Sequence, residues 1–331
     1  METDEKLLEV KNLGITFNSD EGLVRAVDGI SFTANKGKTL GIVGESGSGK
    51  SVTAQSIMRL LPDSAMIDKE SNITFYRDNG PIEITALDNR SQAMRELRGG
   101  DIAMIFQEPM SSFSPVYTIG NQIMEAILQH RKVDKKEAKE IAINMLDKVG
   151  IANPSVRVDQ YPFELSGGMR QRAMIAVALS TNPSLLIADE PTTALDVTIQ
   201  AQILELMRNL KEELDMSIIF ITHDLGVIAQ VAQEIVVMYL GKVMERGTAK
   251  DVLGNPQHPY TVGLLGAIPK LSSLGGRLTP VGGDIPSPLQ RPFGCPFHTR
   301  CKRKIEGVCD QGETAVTRIS PTHTVHCFLY E

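Results

Sequence analysis

The 331-residue sequence lacks any uninterrupted apolar run of membrane-spanning length, and its start, METDEKLLEV, lacks a basic region followed by an apolar segment. These absences predict a cytoplasmic chain that works at a membrane only through a partner. A net charge of -6, without a basic stripe or interleaved aromatic and basic residues, argues against a nucleic-acid partner. The length and the 42% hydrophobic composition predict one large domain plus a smaller one.

Cysteine is absent before Cys295, and all four cysteines follow near the C-terminus, at Cys295, Cys301, Cys309 and Cys327. A chain in a reducing cytoplasm should not depend on disulfides, so metal binding is the leading explanation of the cluster. The spacing C-x5-C-x7-C-x17-C fits neither the short pairs of structural zinc sites nor the ferredoxin pattern. Spacing alone therefore leaves the metal undecided.

One stretch, Gly44–Ser51 with the sequence GESGSGKS, matches G-x-x-x-x-G-K-[ST] at every fixed position. A predicted buried strand at 39–43 precedes it and a predicted helix at 52–61 follows. Backbone N–H groups can wrap a phosphate only where no Cβ intrudes, and a helix N-terminus adds partial positive charge. We expect Lys50 to reach the β- and γ-phosphates of a nucleotide and Ser51 to offer its hydroxyl to Mg²⁺.

Three predicted buried strands, at 102–106, 184–190 and 217–222, end in polar residues, which are Gln107, Asp189 with Glu190, and His223. Asp189 is suited to hold Mg²⁺, usually through water. Glu190 is placed to orient or deprotonate a water for attack on the γ-phosphate. His223 ends its strand on the same predicted sheet edge, which favours a functional role over a merely structural one.

A second glycine-rich helix start lies at Leu165–Gln171, where Ser166, Gly167 and Gly168 offer a hydroxyl and unhindered N–H groups. One chain rarely needs two phosphate cradles, so we expect the second to serve another molecule's nucleotide. Phe17 ends the first predicted strand, at 7–17. Its ring either stacks on an adenine or is a half-buried strand residue, and the sequence leaves both open.

With these motifs in order, the chain resembles the nucleotide-binding subunits of ABC transporters over about residues 7–247; the six motifs are Gly44–Ser51, Gln107, Leu165–Gln171, Asp189–Glu190, Thr193–Asp196 and His223. The resemblance implies two such domains clamped head to tail around two ATP molecules. It makes Glu190 the catalytic carboxylate, Gln107 the residue that senses the site, and His223 the switch histidine that contacts the γ-phosphate.

The resemblance also implies a full ligand set. The nucleotide would contact Phe17, Gly44, Ser46, Gly47, Ser48, Gly49, Lys50, Ser51, Gln107 and Asp189, with Ser166, Gly167 and Gly168 on the partner's nucleotide and Asp196 at the dimer seam. Mg²⁺ would be held by Ser51, Gln107 and Asp189. Met169 stands where the family most often has glutamine, but its neighbours are intact and the site is not predicted to be dead.

The implied fold is α/β, a P-loop NTPase of the ABC type with a parallel sheet core, an antiparallel β subdomain and a helical subdomain at about 108–165. The ATP-binding domain would span 1–254, and a small metal-binding extension 255–331. In that extension, 255–261 (NPQHPYT) and 264–269 (LLGAIP) look like the peptide-importer branch, as does Phe113-Ser114-Pro115. Branch members with four cysteines here hold a [4Fe-4S] cluster, which the resemblance favours over Zn²⁺, with free cysteines as a third and more distant alternative.

The branch implies import of dipeptides or oligopeptides at the cytoplasmic face of the membrane. Its partners would be two transmembrane permease subunits, a second and similar ATPase chain, and an extracellular substrate-binding protein. Nickel importers share much of the pattern and remain an alternative. A soluble ABC ATPase that acts on nucleic acid or ribosomes is a remoter one, which the acidic charge and the single motif set disfavour.

Overall fold

A computed structural model describes residues 5–107, 112–193, 195–268 and 281–331. Outside the described residues lie the start of the predicted helical subdomain at 108–111, Ala194 of the Thr193–Asp196 motif, and Pro269 of the branch signature. Described strands are β1 Lys6–Ser19, β2 Gly22–Asn35, β3 Thr39–Val43, β4 Ala65–Ile67, β5 Asn72–Arg77, β6 Gly80–Glu83, β7 Ile102–Ile105, β8 Leu185–Asp189, β9 Ser217–Thr222, β10 Glu234–Tyr239, β11 Lys242–Thr248, β12 Thr317–Ser320 and β13 His323–Val325.

Described α-helices are α1 Lys50–Ile57, α2 Gln92–Glu96, α3 Ile119–His130, α4 Lys135–Lys148, α5 Pro154–Arg157, α6 Gly167–Leu179, α7 Val197–Glu213, α8 Leu225–Val231, α9 Ala249–Gly254 and α10 Pro259–Gly266. The chain divides into two compact units. Unit 1 comprises Met1–Ala86 and Phe220–Glu331, and unit 2 comprises Leu87–Ile219. The predicted domain boundary at residue 254 stays a prediction.

Unit 1 contains the antiparallel β subdomain that the resemblance implies. Strand β1 pairs antiparallel with β2, β4 and β5, and β5 continues antiparallel into β6. The apolar side chains of β1 alternate into the core, where Leu8, Leu13 and Ile15 are fully buried. Strands β5 and β6 form a hairpin over residues 72–83.

A second set of strands in unit 1 supports the phosphate loop. All five residues of β3 are buried, and β3 runs parallel to β10, with Ile42 opposite Val236. Strand β10 then turns back antiparallel into β11 through Leu240 and Gly241, both with positive φ (42° and 76°). Such a two-residue turn suits the twist of a hairpin. The C-terminal strands follow, with β13 antiparallel to β11 and β12 antiparallel to β13.

Unit 2 combines a parallel strand pair with a group of helices. Strand β7 runs parallel to β8, with Ile105 opposite Ala188. Helices α3 and α4 bury one face each, as their periodicity predicts; on α4 that face includes Ala138, Ala142 and Leu146. In the described part of the chain, no helix is both long and apolar enough to cross a bilayer.

Candidate functional site

The phosphate loop forms in unit 1 as predicted, between β3 and α1. Lys50 is the first residue of α1 and is buried. Its ammonium folds back under the loop and donates to the carbonyl oxygens of Gly44 (2.7 Å) and Glu45 (3.0 Å). The N–H of Ser48 donates to the Glu45 carbonyl (3.2 Å) and closes the turn. The lysine therefore fixes the loop from inside and stands at the helix N-terminus, where an anion is favoured.

Two glycines of this loop are required by its backbone and its neighbours. Gly49 has a φ of 95°, and a Cβ there would lie 2.6 Å from the carbonyl oxygen of Ala26. A Cβ on Gly44 would lie 2.1 Å from the carbonyl oxygen of Met238. Any other residue would force these backbone segments apart. The neighbouring backbone of unit 1 therefore requires glycine at both positions of this phosphate cradle.

A cavity of about 260 Å³ opens beside the phosphate loop within unit 1. It is lined mainly by apolar groups, and the lining includes Phe17, Gly47 and Gly49 with Pro288 and Arg291 of the C-terminal segment. Phe17 is half-buried on β1, opposite Val24. Its place at this cavity is compatible with stacking on a base, and that role stays a prediction.

Unit 2 carries the predicted carboxylates at the end of β8. Asp189 is buried, with 4% of its surface exposed. Glu190 follows with a φ of 46°, a left-handed conformation that is uncommon for a residue other than glycine. The Gln107 side-chain amide (3.2 Å) and the Thr193 hydroxyl (2.8 Å) both donate to Oε2 of Glu190. The structure therefore brings Gln107 and Glu190 together.

The second glycine-rich start also lies in unit 2. Ser166 caps α6, because its hydroxyl accepts from the N–H of Met169 (3.3 Å). Ser166 and Gly167 are exposed. Asp196 caps the next helix, α7, by accepting from the N–H groups of Thr198 and Ile199 (3.0 Å each). These local roles explain the helix starts, and the predicted contacts with a partner's nucleotide stay predictions.

His223 belongs to unit 1, directly after β9, and is exposed. Helix α8 begins two residues later under the cap of Asp224, whose carboxylate accepts from the N–H of Gly226 (2.7 Å). The histidine therefore ends a strand, as predicted. Its contact with a γ-phosphate stays a prediction.

Sequence reasoning missed several residues around these motifs. Thr193 was recognised only as part of a motif, not as a donor to Glu190. Tyr260 and Arg300 contact the phosphate-loop residue Glu45, and Arg291 lines the cavity beside Phe17. No spacing signal links these residues to the loop, because Arg300 lies 255 positions from Glu45. Only the tyrosine falls within a sequence signature that was noticed, NPQHPYT.

The predicted [4Fe-4S] cluster and its Zn²⁺ alternative are wrong. Among the described residues, which include all four cysteines, no group of three or more His, Cys, Asp or Glu side chains could hold a metal ion. All four thiols are free. Burial raises the pKa of Cys295 to about 12 and also raises the pKa of Cys301 and Cys327, so these free thiols stay protonated near neutral pH. The residues of 255–331 that the structure describes therefore do not form the predicted metal-binding extension.

Comparisons with known proteins agree with the motif order. The sequence pattern of the ABC transporter family matches residues 27–193, and that of the oligopeptide/dipeptide transporter C-terminal region matches 244–309. The chain is 50% identical to a dipeptide transport ATP-binding protein of Bacillus subtilis (strain 168), over 99% of this chain and 96% of the relative. It is 48% identical to an oligopeptide transport ATP-binding protein of the same organism, over 98% of this chain and 89% of the relative.

Solved structures show the same fold. An ATP-binding cassette solved as a dimer in a post-hydrolysis state with ADP and Pi is 26% identical, with a TM-score of 0.64 over 73% of this chain and 99% of that one. A subunit of an ABC transporter complex of Clostridium perfringens is 27% identical, with a TM-score of 0.63 over 76% of this chain and 92% of that one.

Proposed function

Because the chain belongs to the ABC transporter family, we propose that it is the ATP-hydrolysing subunit of a membrane importer for dipeptides or oligopeptides. The observation that carries the proposal is the C-terminal match at residues 244–309, which joins a peptide-transporter region to an ATP-binding cassette in one chain. The relatives reported above are named for dipeptide or oligopeptide transport, which favours this function over nickel import or action on nucleic acid.

In unit 1, the proposed role of the phosphate loop is to bind the nucleotide. The N–H groups at the start of α1 and the Lys50 ammonium provide positive potential where the β- and γ-phosphates would lie. Phe17 would stack on the adenine in the cavity beside Gly47 and Gly49. His223, at the end of β9, would contact the γ-phosphate. Each assignment follows the family motifs and is compatible with the geometry of this unit.

The residues present fit Mg²⁺, which when bound would neutralise charge on the phosphate oxygens. The fit is the chemistry of the donor set, since Ser51, Gln107 and Asp189 offer the oxygen ligands that this ion prefers. Asp189 is buried at the end of β8. We therefore propose these three as its protein ligands.

In unit 2, the proposed role of Glu190 is to orient or deprotonate the water that attacks the γ-phosphate in line. Two donors, Gln107 and Thr193, already fix the position of Oε2. Ser166, Gly167 and Gly168 would contact the γ-phosphate held by a second ATPase chain, with Asp196 at the seam of a head-to-tail dimer.

The proposed partners are two permease subunits and a second, similar ATPase chain, with an extracellular substrate-binding protein in the same system. The chain would then act at the cytoplasmic face of the membrane. Unit 2 supports a docking role, because apolar residues of its helical region are exposed, including Val116, Val156 and Phe163. The rings of Tyr161 and Phe163 stack on each other 5.4 Å apart at this surface.

One experiment tests the function directly in the source cell. Lys50→Ala, introduced in the chromosomal copy, should abolish uptake of a labelled dipeptide or oligopeptide, because ATP binding is lost. The matched control is Lys139→Ala, which removes a surface ion pair with Asp159 and should leave uptake unchanged. Normal peptide uptake with lost nickel uptake in the Lys50 variant would contradict the peptide assignment and favour nickel.

A second measurement tests the partners. The chain should copurify from detergent-solubilised membranes with two hydrophobic permease chains and one further ATPase chain. Recovery of the chain only in complexes with ribosomes or nucleic acid would contradict the proposal.

A further inference from the structure

A buried arginine of the C-terminal segment forms an ion pair with the phosphate loop. The Arg300 guanidinium forms two hydrogen bonds with the Glu45 carboxylate, at 2.7 Å to Oε2 and 3.1 Å to Oε1. Glu45 is the second residue of Gly44–Ser51. Only 3% of the Arg300 side chain is exposed, against 24% for Glu45. Both residues belong to unit 1. A paired fork of this kind fixes geometry as well as charge.

All five N–H donors of Arg300 have acceptors. Besides the two bonds to Glu45, the guanidinium donates to the Tyr239 hydroxyl (3.3 Å) and to the carbonyl oxygens of Gly282 (3.0 Å) and Val281 (3.2 Å). It also lies over the rings of Tyr239 and Phe297, at 5.7 and 5.9 Å from their centres. The guanidinium is therefore held from every side, and it is rigid enough to position its partner.

Glu45 is also held through its backbone, and its backbone contacts Lys50. The N–H of Glu45 donates to the Tyr260 hydroxyl (2.9 Å), and the Glu45 carbonyl accepts from the Lys50 ammonium (3.0 Å). Tyr260 is fully buried on α10, in the same C-terminal part of the chain. One residue thus connects Arg300 and Tyr260 to the lysine that the phosphates require.

We propose that Arg300 is a positioning residue for the phosphate loop, which it orients through Glu45 so that Lys50 is set for the β- and γ-phosphates. The inference rests on the proposed function, that this loop binds ATP. It gives the C-terminal extension a role in nucleotide binding. The ion pair is placed on the loop residue whose carbonyl accepts from Lys50, the proposed phosphate ligand.

The test is a double-mutant cycle on the purified full chain, read out as the dissociation constant of a fluorescent ATP analogue. Arg300→Gln and Glu45→Gln should each weaken ATP binding about tenfold, which corresponds to the loss of one charged hydrogen-bonded pair. The double variant should also lose about tenfold rather than a hundredfold, because both changes remove the same interaction. Arg300→Lys, which keeps the charge without the fork, should lie between Arg300→Gln and the unmodified chain.

The matched control is Lys304→Gln, which breaks an ion pair with Asp310 (2.7 Å) in the same segment, away from the loop, and should leave ATP affinity unchanged. Affinity for adenosine monophosphate should not change in any variant, since it lacks the phosphates that Lys50 would reach. If Arg300→Gln fails to fold, as judged by its thermal midpoint, Glu45→Gln alone carries the same expectation.

Unchanged ATP affinity in folded Arg300→Gln or Glu45→Gln, or additive losses in the double variant, would overturn the inference. Lys50→Ala separates this failure from that of the proposed function. If Lys50→Ala abolishes ATP binding while the Arg300 and Glu45 variants bind normally, the loop binds ATP and Arg300 does not position it. If Lys50→Ala binds ATP normally, the proposed function itself is wrong.

Discussion

Two glycine-rich helix starts occur in this molecule, one in each unit, and they are built on opposite principles. At the start of α1, Gly44 and Gly49 are forced by the surrounding backbone, since a Cβ at either would collide with a carbonyl oxygen. At the start of α6, a Cβ on Gly167 would meet no atom within 4 Å in the part of the chain that the structure describes. The first start requires glycine for its own fold, and the second does not.

The supports differ in the same way. The α1 start is held by distant residues, Arg300 and Tyr260, through Glu45. The α6 start needs only its own cap, Ser166. No contact among the described residues requires glycine at position 167. Glycine there is suited to a surface that a second molecule approaches closely, as the proposed dimer requires. The comparison therefore separates what the fold demands from what function demands.

The largest expected effect is on the rate of ATP hydrolysis, and it comes from a substitution that changes neither helix start. Glu190→Gln should lower the rate of ATP hydrolysis by about 10²–10⁴-fold, the range that a positioned general base contributes. ATP binding should persist, and the variant should accumulate as a closed, ATP-loaded dimer by gel filtration. The control is Glu205→Gln on the exposed face of α7, with unchanged turnover. Undiminished hydrolysis in Glu190→Gln would remove Glu190 from its role.

The next largest effect is expected at the start of α1, where the surrounding backbone requires glycine. Gly49→Ala should destabilise unit 1 by about 1–3 kcal/mol through backbone strain, and more through the 2.6 Å approach to Ala26, with ATP binding lost. Thermal unfolding and nucleotide titration measure both. Gly37→Ala is the matched control, because Gly37 also has a positive φ (69°) but no described atom within 4 Å of its Cβ position. Equal losses in the two variants would show that strain alone, without the close approach, sets the effect.

The features that the sequence predicted are those encoded in short segments. The loop Gly44–Ser51 was identified from residue types, and its flanking strand and helix from apolar runs. Gln107 and Glu190 each follow a predicted buried strand, and in the structure these two strands run parallel side by side. The first predicted strand, at 7–17, lies within β1, which pairs antiparallel with β2.

What the sequence could not predict depends on tertiary contacts. The pairing of Arg300 with Glu45 leaves no periodic or spacing signal across 255 positions. For the cysteines, the sequence predicted a site that is not there. Four thiols in one segment suggested a metal site, but their arrangement in the described structure does not form one. Composition shows that residues are near each other along the chain, and coordination depends on their geometry in space.

Low pH is expected to destabilise the folded chain near Tyr260, one of the two distant residues that hold the start of α1. Burial lowers the pKa of His258 to about 3, and burial also lowers the pKa of His326. His258 caps α10 by accepting from the N–H of Tyr260 (3.0 Å), the residue that contacts Glu45. The unfolded chain binds a proton here below about pH 6.5 and the folded chain does not, so the free energy of unfolding falls as pH decreases.

From His258 alone, the loss should reach about 2 kcal/mol at pH 5. Thermal midpoints of the full chain at pH 7.5 and 5.0 measure it. His258→Asn keeps a capping side chain without the titration and should show a flatter pH dependence. A pH dependence as steep as that of the unmodified chain would exclude His258 as its source.

A smaller effect is expected at the start of α6, where the surrounding backbone does not require glycine. Gly167→Ala should leave stability unchanged or raise it by up to about 1 kcal/mol, since alanine is favoured in a helix and nothing described crowds the site. Hydrolysis by the assembled ATPase pair should nonetheless fall about tenfold, if a partner's phosphate approaches the backbone there. Gly254→Ala, at a helix end with equal space, should change neither. Full hydrolysis in Gly167→Ala would end the contrast between the two starts.

The smallest effect concerns the cavity beside the α1 start. Phe17→Ala should weaken ATP binding by about 1 kcal/mol, roughly fivefold, because one stacked face is lost while the phosphate contacts persist. Leu23→Ala is the control, since Leu23 is an exposed apolar residue of the same sheet, 63% exposed and outside the cavity lining. Affinity for inorganic pyrophosphate, which has no base, should stay unchanged in Phe17→Ala. A loss of pyrophosphate affinity as large as that for ATP would mean that Phe17 supports the loop rather than the base, and the α1 start would then depend on a third distant support.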